Sequence, residues 1–285
     1  MTQALKEKQR RLEECLRSFG SVATAFSGGV DSSFLLACAH AVLGAKAVAV
    51  TGRSLSFPLR ELHAAEDFAA SLGIRHFLVD SEELEVDGFS DNPPNRCYLC
   101  KKALFGKVLR VAREQGAAHV IEASNVDDEG DYRPGLQAAA ELGVHSPLRM
   151  VRLGKDEIRQ LSRERGLPTW DKPSFACLAS RFPYGERIDP ERLRRIDAAE
   201  QFLLDRGCRQ VRVRFHDGGR LARVELDERG FALFADPALR AAVNSRLKEL
   251  GFAYAAIDLE GYRTGSMNAT LPSAPEDRES GAASG

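Results

Sequence analysis

The stretch SGGVDSS, Ser27 to Ser33, lies between a short apolar run, SVATAF (21–26), and a longer one, FLLACAHAVLG (34–44). The short run reads as a strand and the long one as a helix. The glycines therefore mark a strand-to-helix turn at the carboxyl edge of a sheet, where open α/β folds bind ligands. Gly28 and Gly29 let backbone amides approach a bound group closely. The following helix directs its positive end at that group. Ser27, Ser32 and Ser33 add hydroxyl donors, and the combination predicts a phosphate cradle. A Walker loop is excluded, since its lysine and G-x-x-x-x-G-K spacing are absent. The competing reading, a turn that binds nothing, suits a lone Gly-Gly far better than Ser-Gly-Gly-x-Asp-Ser in this setting.

Outward from the loop, strand and helix patterns alternate. KAVAVTG (46–52), RHFLVD (75–80), AHVIEAS (118–124) and VHSPL (144–148) read as strands. FPLRELHAAEDFAASLG (57–73), KKALFGKVLRVAREQG (101–116), RPGLQAAAELG (133–143) and KDEIRQLSRERG (155–166) read as helices. Alternation of this kind predicts an α/β fold, a parallel sheet with helices on both faces. Near residue 180 the pattern changes. IDPERLRRIDAAEQFLLDRG (188–207) reads as a helix with Asp189 as N-cap. RQVRVRF (209–215) and LARVELD (221–227), joined by HDGGR, read as a hairpin with one solvated face. A capped helix (236–251) and a last strand (254–261) complete a smaller C-terminal α+β domain. The expected division is 1–180, 181–270 and a disordered tail over 271–285, which is rich in Pro, Ser, Gly and Glu.

A chain of 285 residues has length for a substantial core. Its 44% hydrophobic and 28% charged residues are those of an ordinary globular protein. A net charge of -1 and a pI near 6.6 argue against a protein that lives on nucleic acid. No run of about 18 apolar residues marks a membrane span. The charged, amphipathic N-terminal stretch, with Leu5, Leu12 and Leu16 near helical spacing, lacks the apolar centre of a signal peptide. A cytoplasmic location is expected, with the six cysteines as thiols, ligands or catalysts rather than disulfides.

The glycine loop resembles that of the ATP pyrophosphatase (PP-loop) superfamily, whose fold is adenine nucleotide alpha hydrolase-like. Its members cleave ATP between the α and β phosphates, adenylate a substrate oxygen and let a nucleophile displace AMP. The resemblance implies that Ser27, Gly28, Gly29, Asp31 and Ser32 hold the pyrophosphate with Mg²⁺ nearby, and that Thr51 faces the nucleotide. Such an arrangement turns a poor leaving group into a good one. EASNVDDEGDYRPG (122–135) falls on the same edge. There Asp127, Asp128 and Asp131 can hold a cation or cap a helix, and Arg133 can reach a phosphate.

PSFACLASRFPYGERI (173–188) lies at the domain junction, with Arg181 close to Cys177. An arginine beside a thiol favours the nucleophilic thiolate. A lone cysteine is otherwise most often buried and inert. Together with VRVRFH and DLEGYRTGSMN (258–268), these stretches resemble the ATP-dependent sulfur transferases that build the nickel-pincer cofactor of lactate racemase (LarE type). The resemblance covers residues 8 to 270. It implies a substrate, pyridinium-3,5-biscarboxylic acid mononucleotide, whose carboxylates are adenylated with ATP and converted to thiocarboxylates. It places Cys177 at the centre of the chemistry and Arg212 and Arg214 on the substrate phosphate. It adds Ser180 and Arg181 to the substrate site and gives Glu200 a divalent ion. An arginine pair on one strand face suits a phosphate through forked hydrogen bonds. Members of the family look like homo-oligomers, and the same is expected here.

CYLCK (97–101), in SDNPPNRCYLCKK (90–102), reads as a loop. In one branch of the family the counterpart of Cys177 stands alone, gives up its own sulfur and is left as dehydroalanine. In the other, three cysteines hold a [4Fe–4S] cluster that delivers sulfide. Cys97, Cys100 and Cys177 fit the second branch: two close ligands and one distant one leave one iron open. A redox pair or half of a zinc site competes, but no second C-x-x-C or His pair accompanies it. The rival functions are a PP-loop tRNA thiolase, an ammonia-using ligase and a nucleotide-binding regulatory domain.

Overall fold

The computed structural model describes residues 2–130 and 134–270. Asp131, Arg133 and the tail expected to be disordered lie outside the described residues. The first part of the chain runs α1 (Gln3–Phe19), β1 (Val22–Ala25), α2 (Val30–Leu43), β2 (Ala47–Arg53), α3 (Leu59–Ser71), β3 (His76–Asp80), α4 (Arg96–Glu114), β4 (His119–Ile121), α5 (Pro134–Glu141), α6 (Pro147–Met150) and α7 (Lys155–Glu164). The four strands pair in parallel in the order β3-β2-β1-β4.

Strand periodicity divides this sheet between two cores. Val22, Ala47, Ala49 and Ile121 face one side, where they meet Leu5, Leu12 and Leu16 of α1, Phe34 and Leu35 of α2 and Leu161 of α7. Ala23, Val48, Val50 and Val120 face the other, packed on Phe105, Val108 and Val111 of α4 and Ala139 of α5. Burial on both faces explains the continuous apolar strands, and it is the expected α/β arrangement. All four carboxyl ends open on one edge, so the glycine loop, the loop after β2, the long loop after β3 and the 122–130 segment gather there.

Two local readings change. VHSPL does not form a strand: His145 makes a single parallel bridge to Ile121, and Pro147 then opens α6. Proline lacks the amide a ladder needs and suits a first helical turn. The cysteine pair is not in a loop but in the first two turns of α4, which begins at Arg96 right after Pro93-Pro94-Asn95.

The remainder runs α8 (Pro190–Leu204), β5 (Val211–His216), β6 (Leu221–Leu226), α9 (Glu228–Leu233), α10 (Pro237–Glu249) and β7 (Tyr254–Ile257). β5 and β6 form the expected antiparallel hairpin, and β7 joins β6 in parallel. Asp189 caps α8 by accepting from the Arg192 amide at 2.9 Å. The core of this second unit, built on Leu193, Ile196, Val213, Phe215 and Phe252, also takes Phe89 from the loop after β3, and Leu178, Ala179 and Phe182. The two units therefore meet around the segment that carries Cys177. No helix among the described residues is long and apolar enough to cross a membrane.

Candidate active site

The glycine loop wraps the N-terminus of α2. Gly28 has φ +66°, and a Cβ there would stand 3.1 Å from Ala65 Cβ on α3. Gly29 caps the helix with extended backbone and no side-chain cap bond. Ser32 Oγ donates to Gly29 O at 3.2 Å, accepts from Ser27 N at 3.3 Å and meets Ser27 Oγ at 3.1 Å. Both strain and crowding oppose any side chain at residue 28. Gly28→Ala is expected to lose about 1–3 kcal/mol of stability, read by chemical denaturation, together with the thermal protection that ATP gives.

Asp31 pairs with Lys155 at the start of α7, while its Oδ1 is buried without a hydrogen-bond partner among the described residues. Burial pushes the Asp31 carboxyl up, and the Lys155 charge pulls it back. Lys172 Nζ donates to Gly28 O at 3.0 Å and pairs with Glu61 at 2.7 Å. Neither lysine was legible in the sequence, since nothing local to either points at a loop more than a hundred residues away. Thr51 is buried; its hydroxyl donates to Phe26 O at 2.6 Å and meets His76 Nε2 at 2.7 Å. Asp127 accepts from the first amide of α7, Lys155 N, at 2.6 Å, and Asp128 accepts from Asn125 N at 3.0 Å. Both therefore serve as caps and turn closures.

Cys177 precedes a short helical turn that is tied on both sides. Leu178 N donates to Ser56 O, in the loop after β2, at 2.8 Å. Arg181, which has no exposed surface, donates from Nη1 to Ala176 O at 2.7 Å, Cys177 O at 3.1 Å and Ser180 Oγ at 2.9 Å. Its Nε and Nη2 fork onto the two oxygens of Glu200 on α8, each at 2.8 Å. Glu200 Oε1 also accepts from Val213 N at 2.9 Å. Both carboxylate oxygens, expected to face a divalent ion, are thus engaged by Arg181 and the β5 backbone. Burial works against the charged form of Glu200, and Arg181 outweighs it and holds the carboxyl below its ordinary range.

Arg212 and Arg214 lie on one face of β5, as the alternation requires, but that face is not solvated. They are 6% and 5% exposed, turned inward to a cleft instead of to water. The cleft, open to solvent and about 530 Å³, is lined by both arginines, Ser180, Tyr262, Arg96 and Tyr184. Arg212 donates to Ser174 O and lies 5.0 Å from the centre of the Tyr262 ring. Burial lowers its pKa to about 10, with the Arg181 charge acting in the same sense. Arg214 donates to Ser180 O at 3.0 Å, Glu225 Oε2 at 2.6 Å and Ser266 Oγ at 2.8 Å. Its Nε is buried with no partner among the described residues, a donor without an acceptor beside the cleft. Ser266 and Tyr262 come from the DLEGYRTGSMN stretch, to which composition assigned no chemistry.

The three cysteines share one region. Cys177 feels the charges of Cys97, Arg96 and Arg181, and Cys100 feels those of Cys177 and Cys97. Cys97 is exposed; Cys100 and Cys177 are half-buried against the second core. Burial pushes the Cys177 thiol up, while Arg96, Arg181 and the Ser180 amide oppose it. Burial, then the neighbouring Cys177, pushes Cys100 up as well. Among the described residues no three His, Cys, Asp or Glu side chains converge as a single metal ion requires. Thiolates on separate irons of a cluster stand farther apart than ligands of one ion. Cys38 and Cys208 are buried in the two cores, and burial pushes Cys38 up to about 12, so its thiol is inert.

A family model described as asparagine synthase matches residues 9–91, which hold the glycine loop and the first three strands. An uncharacterised protein of Synechocystis sp. is 41% identical over 94% of this chain and 99% of its own length. A protein of Lactiplantibacillus plantarum named pyridinium-3,5-bisthiocarboxylic acid mononucleotide synthase is 37% identical over 95% of this chain and 97% of its own. A tRNA-specific 2-thiouridylase of Rickettsia felis is 29% identical over 54% of this chain and 52% of its own.

Proposed function

The chain belongs to the family of the pyridinium-3,5-bisthiocarboxylic acid mononucleotide synthase, and from that premise we propose that it is an ATP-dependent sulfur transferase acting on the carboxylates of a pyridinium mononucleotide. A carboxylate oxygen of pyridinium-3,5-biscarboxylic acid mononucleotide attacks the α-phosphorus of ATP, and pyrophosphate leaves. Sulfur then attacks the acyl carbon of the mixed anhydride. The C–O bond breaks, AMP departs with the oxygen, and a thiocarboxylate remains. Repetition on the second carboxylate completes the product. The observation that carries this reading is the joining of Cys177's turn to the arginine-lined cleft. Arg214 donates to Ser180 O and Arg212 to Ser174 O, so the phosphate end of a substrate and the sulfur lie on one tied segment.

The chain's own residues divide the work. Ser27, Gly28, Gly29 and Ser32 cradle the departing pyrophosphate at the N-terminus of α2. Asp31, with one oxygen free of partners among the described residues, fits as a carboxylate ligand of Mg²⁺, which keeps few protein ligands besides phosphate oxygens. Arg133 adds a phosphate contact. Arg212 and Arg214 hold the substrate phosphate beside Ser180. Arg181, anchored by Glu200, sets the Cys177 turn. Cys97, Cys100 and Cys177 are suited to hold a [4Fe–4S] cluster, since the three thiols share one region and, among the described residues, Cys38 and Cys208 are buried elsewhere in the cores. Bound there, the cluster supplies a sulfide as the sulfur donor. Dependence on ATP and reduced thiols suits the cytoplasm. The open edge of β7, where Tyr254 is 64% exposed, supports pairing with a second copy of the chain. A tRNA substrate is less well supported: the thiouridylase likeness spans about half of each chain.

The test is anaerobic reconstitution, iron analysis, then reaction with ATP and pyridinium-3,5-biscarboxylic acid mononucleotide. About four irons per chain, AMP, pyrophosphate and repeated thiocarboxylate formation are expected. A protein that stays iron-free and turns over once, with Cys177 losing its sulfur, would establish the sacrificial route instead. Absence of AMP with this substrate would overturn the proposal.

A further inference from the structure

The cleft holds more buried positive charge than a phosphate needs. Arg212 and Arg214 stand on β5, and Arg96 reaches the same cleft from the first turn of α4. Arg96 is 4% exposed. Its Nη1 donates to Ala179 O at 2.8 Å and to Asn92 Oδ1, which fixes the guanidinium. Its Nη2 lies 3.9 Å from Cys97 Sγ. Among the charges that act on Cys177, that of Arg96 is the strongest opposing its burial. This arginine therefore sits where the cleft meets the cysteines, on a different element from the two on β5.

The substrate class proposed above, on which this inference rests, carries two ring carboxylates as well as a phosphate. With the phosphate on Arg212 and Arg214, the ring must extend toward Cys177 for sulfur to reach its acyl carbon. A carboxylate in that position meets Arg96. The other arginine at the cleft, Arg263, is exposed and paired with Glu260 at 2.5 Å. We infer that Arg96 is a specificity residue that grips a ring carboxylate of the substrate and so selects acid mononucleotides over their uncharged amides. A buried, pre-fixed guanidinium suits this task, because its fork matches a carboxylate and loses little freedom on binding. An amide in the same place leaves the buried charge unmatched.

Calorimetric titration with nicotinic acid mononucleotide and nicotinamide mononucleotide tests this. The two differ only in carrying a ring carboxylate or its amide. Wild-type protein is expected to bind the acid at least about ten-fold more tightly. Arg96→Gln brings the ratio close to one, and Arg96→Lys, which keeps the charge and guards against a variant that fails to fold, keeps part of it. Arg214→Ala weakens both ligands alike. A wild type without preference, or an Arg96→Gln variant that weakens both ligands equally, would overturn the inference while leaving the proposed function standing. If neither mononucleotide binds wild type, the reading of the cleft fails first and takes this inference with it.

Discussion

Serine in place of Cys177 is expected to end thiocarboxylate formation, a loss of at least about 10³-fold, while ATP is still cleaved to AMP in the presence of substrate. Oxygen for sulfur is a small change in volume at a half-buried site, so the fold should survive. The bonds of Lys155 to Asp31 and of Lys172 to Gly28 O do not involve residue 177. Liquid chromatography with mass detection of AMP and product separates the two half-reactions. Thiocarboxylate formed at the wild-type rate would move the sulfur chemistry away from Cys177. Loss of both AMP and product would mean that this turn also serves adenylation. The same variant should retain less iron after reconstitution, since one of three thiolates is gone.

The second large effect falls on stability. Glu200→Ala leaves Arg181 buried and charged without its forked partner and strips Val213 N of its acceptor. Removing one partner of a buried pair costs about 3–5 kcal/mol, on the order of 10 °C in melting temperature for a chain of this size. Glu200→Gln keeps the shape and one acceptor, and should cost less. The pH dependence has a definite sign. Glu200 is held below its ordinary range in the folded protein. Its contribution is therefore complete above the unfolded carboxylate's pKa, about 4.3, and disappears as pH falls through the lower folded value. Wild type should lose part of its advantage over Glu200→Gln as the pH is lowered past 4. A thermal melt of Glu200→Ala indistinguishable from wild type would show that the pair contributes nothing net. In that case the Cys177 turn must be held by its other ties, the bond to Ser56 O and those that Arg96 and Arg214 make to Ala179 O and Ser180 O.

How much of this was legible depends on whether the deciding contacts are local. The parallel sheet was readable because strands buried on both faces are apolar throughout, and because Gly28 and Gly29 punctuate a strand and a helix. Asp189 was readable as a cap because capping acts over three residues. The face of β5 was misread as solvated because alternating arginine and valine carries the same pattern whether arginine meets water or a cleft. Only the packing of the 173–183 segment against the strand decides between them. The C-x-x-C pair was read as a loop because Pro93-Pro94 signals one, yet a helix can begin as soon as the prolines end. Lys155 and Lys172 reach the glycine loop through tertiary contacts alone, and no window of sequence holds both ends. Thr51 lies on β2, and its hydroxyl donates to Phe26 O and meets His76 Nε2, contacts that period-two reasoning does not reveal.

The ties on either side of Cys177 bear on how such proteins can be recombined. The turn is bonded to the loop after β2 through Ser56, and to α8 through Arg181 and Glu200, while Leu178 and Ala179 fill the second core. A chimera of two relatives joined at the apparent domain boundary, near residue 180, would cut through this knot and pair one parent's turn with the other's anchor. A crossover on the amino side of Pro173 keeps the thiol, the clamp and the arginine strand as one inherited block. It leaves two seams to be matched, one with the Ser56 loop and one with the 89–96 segment, where Phe89 enters the second core and Arg96 donates to Ala179 O.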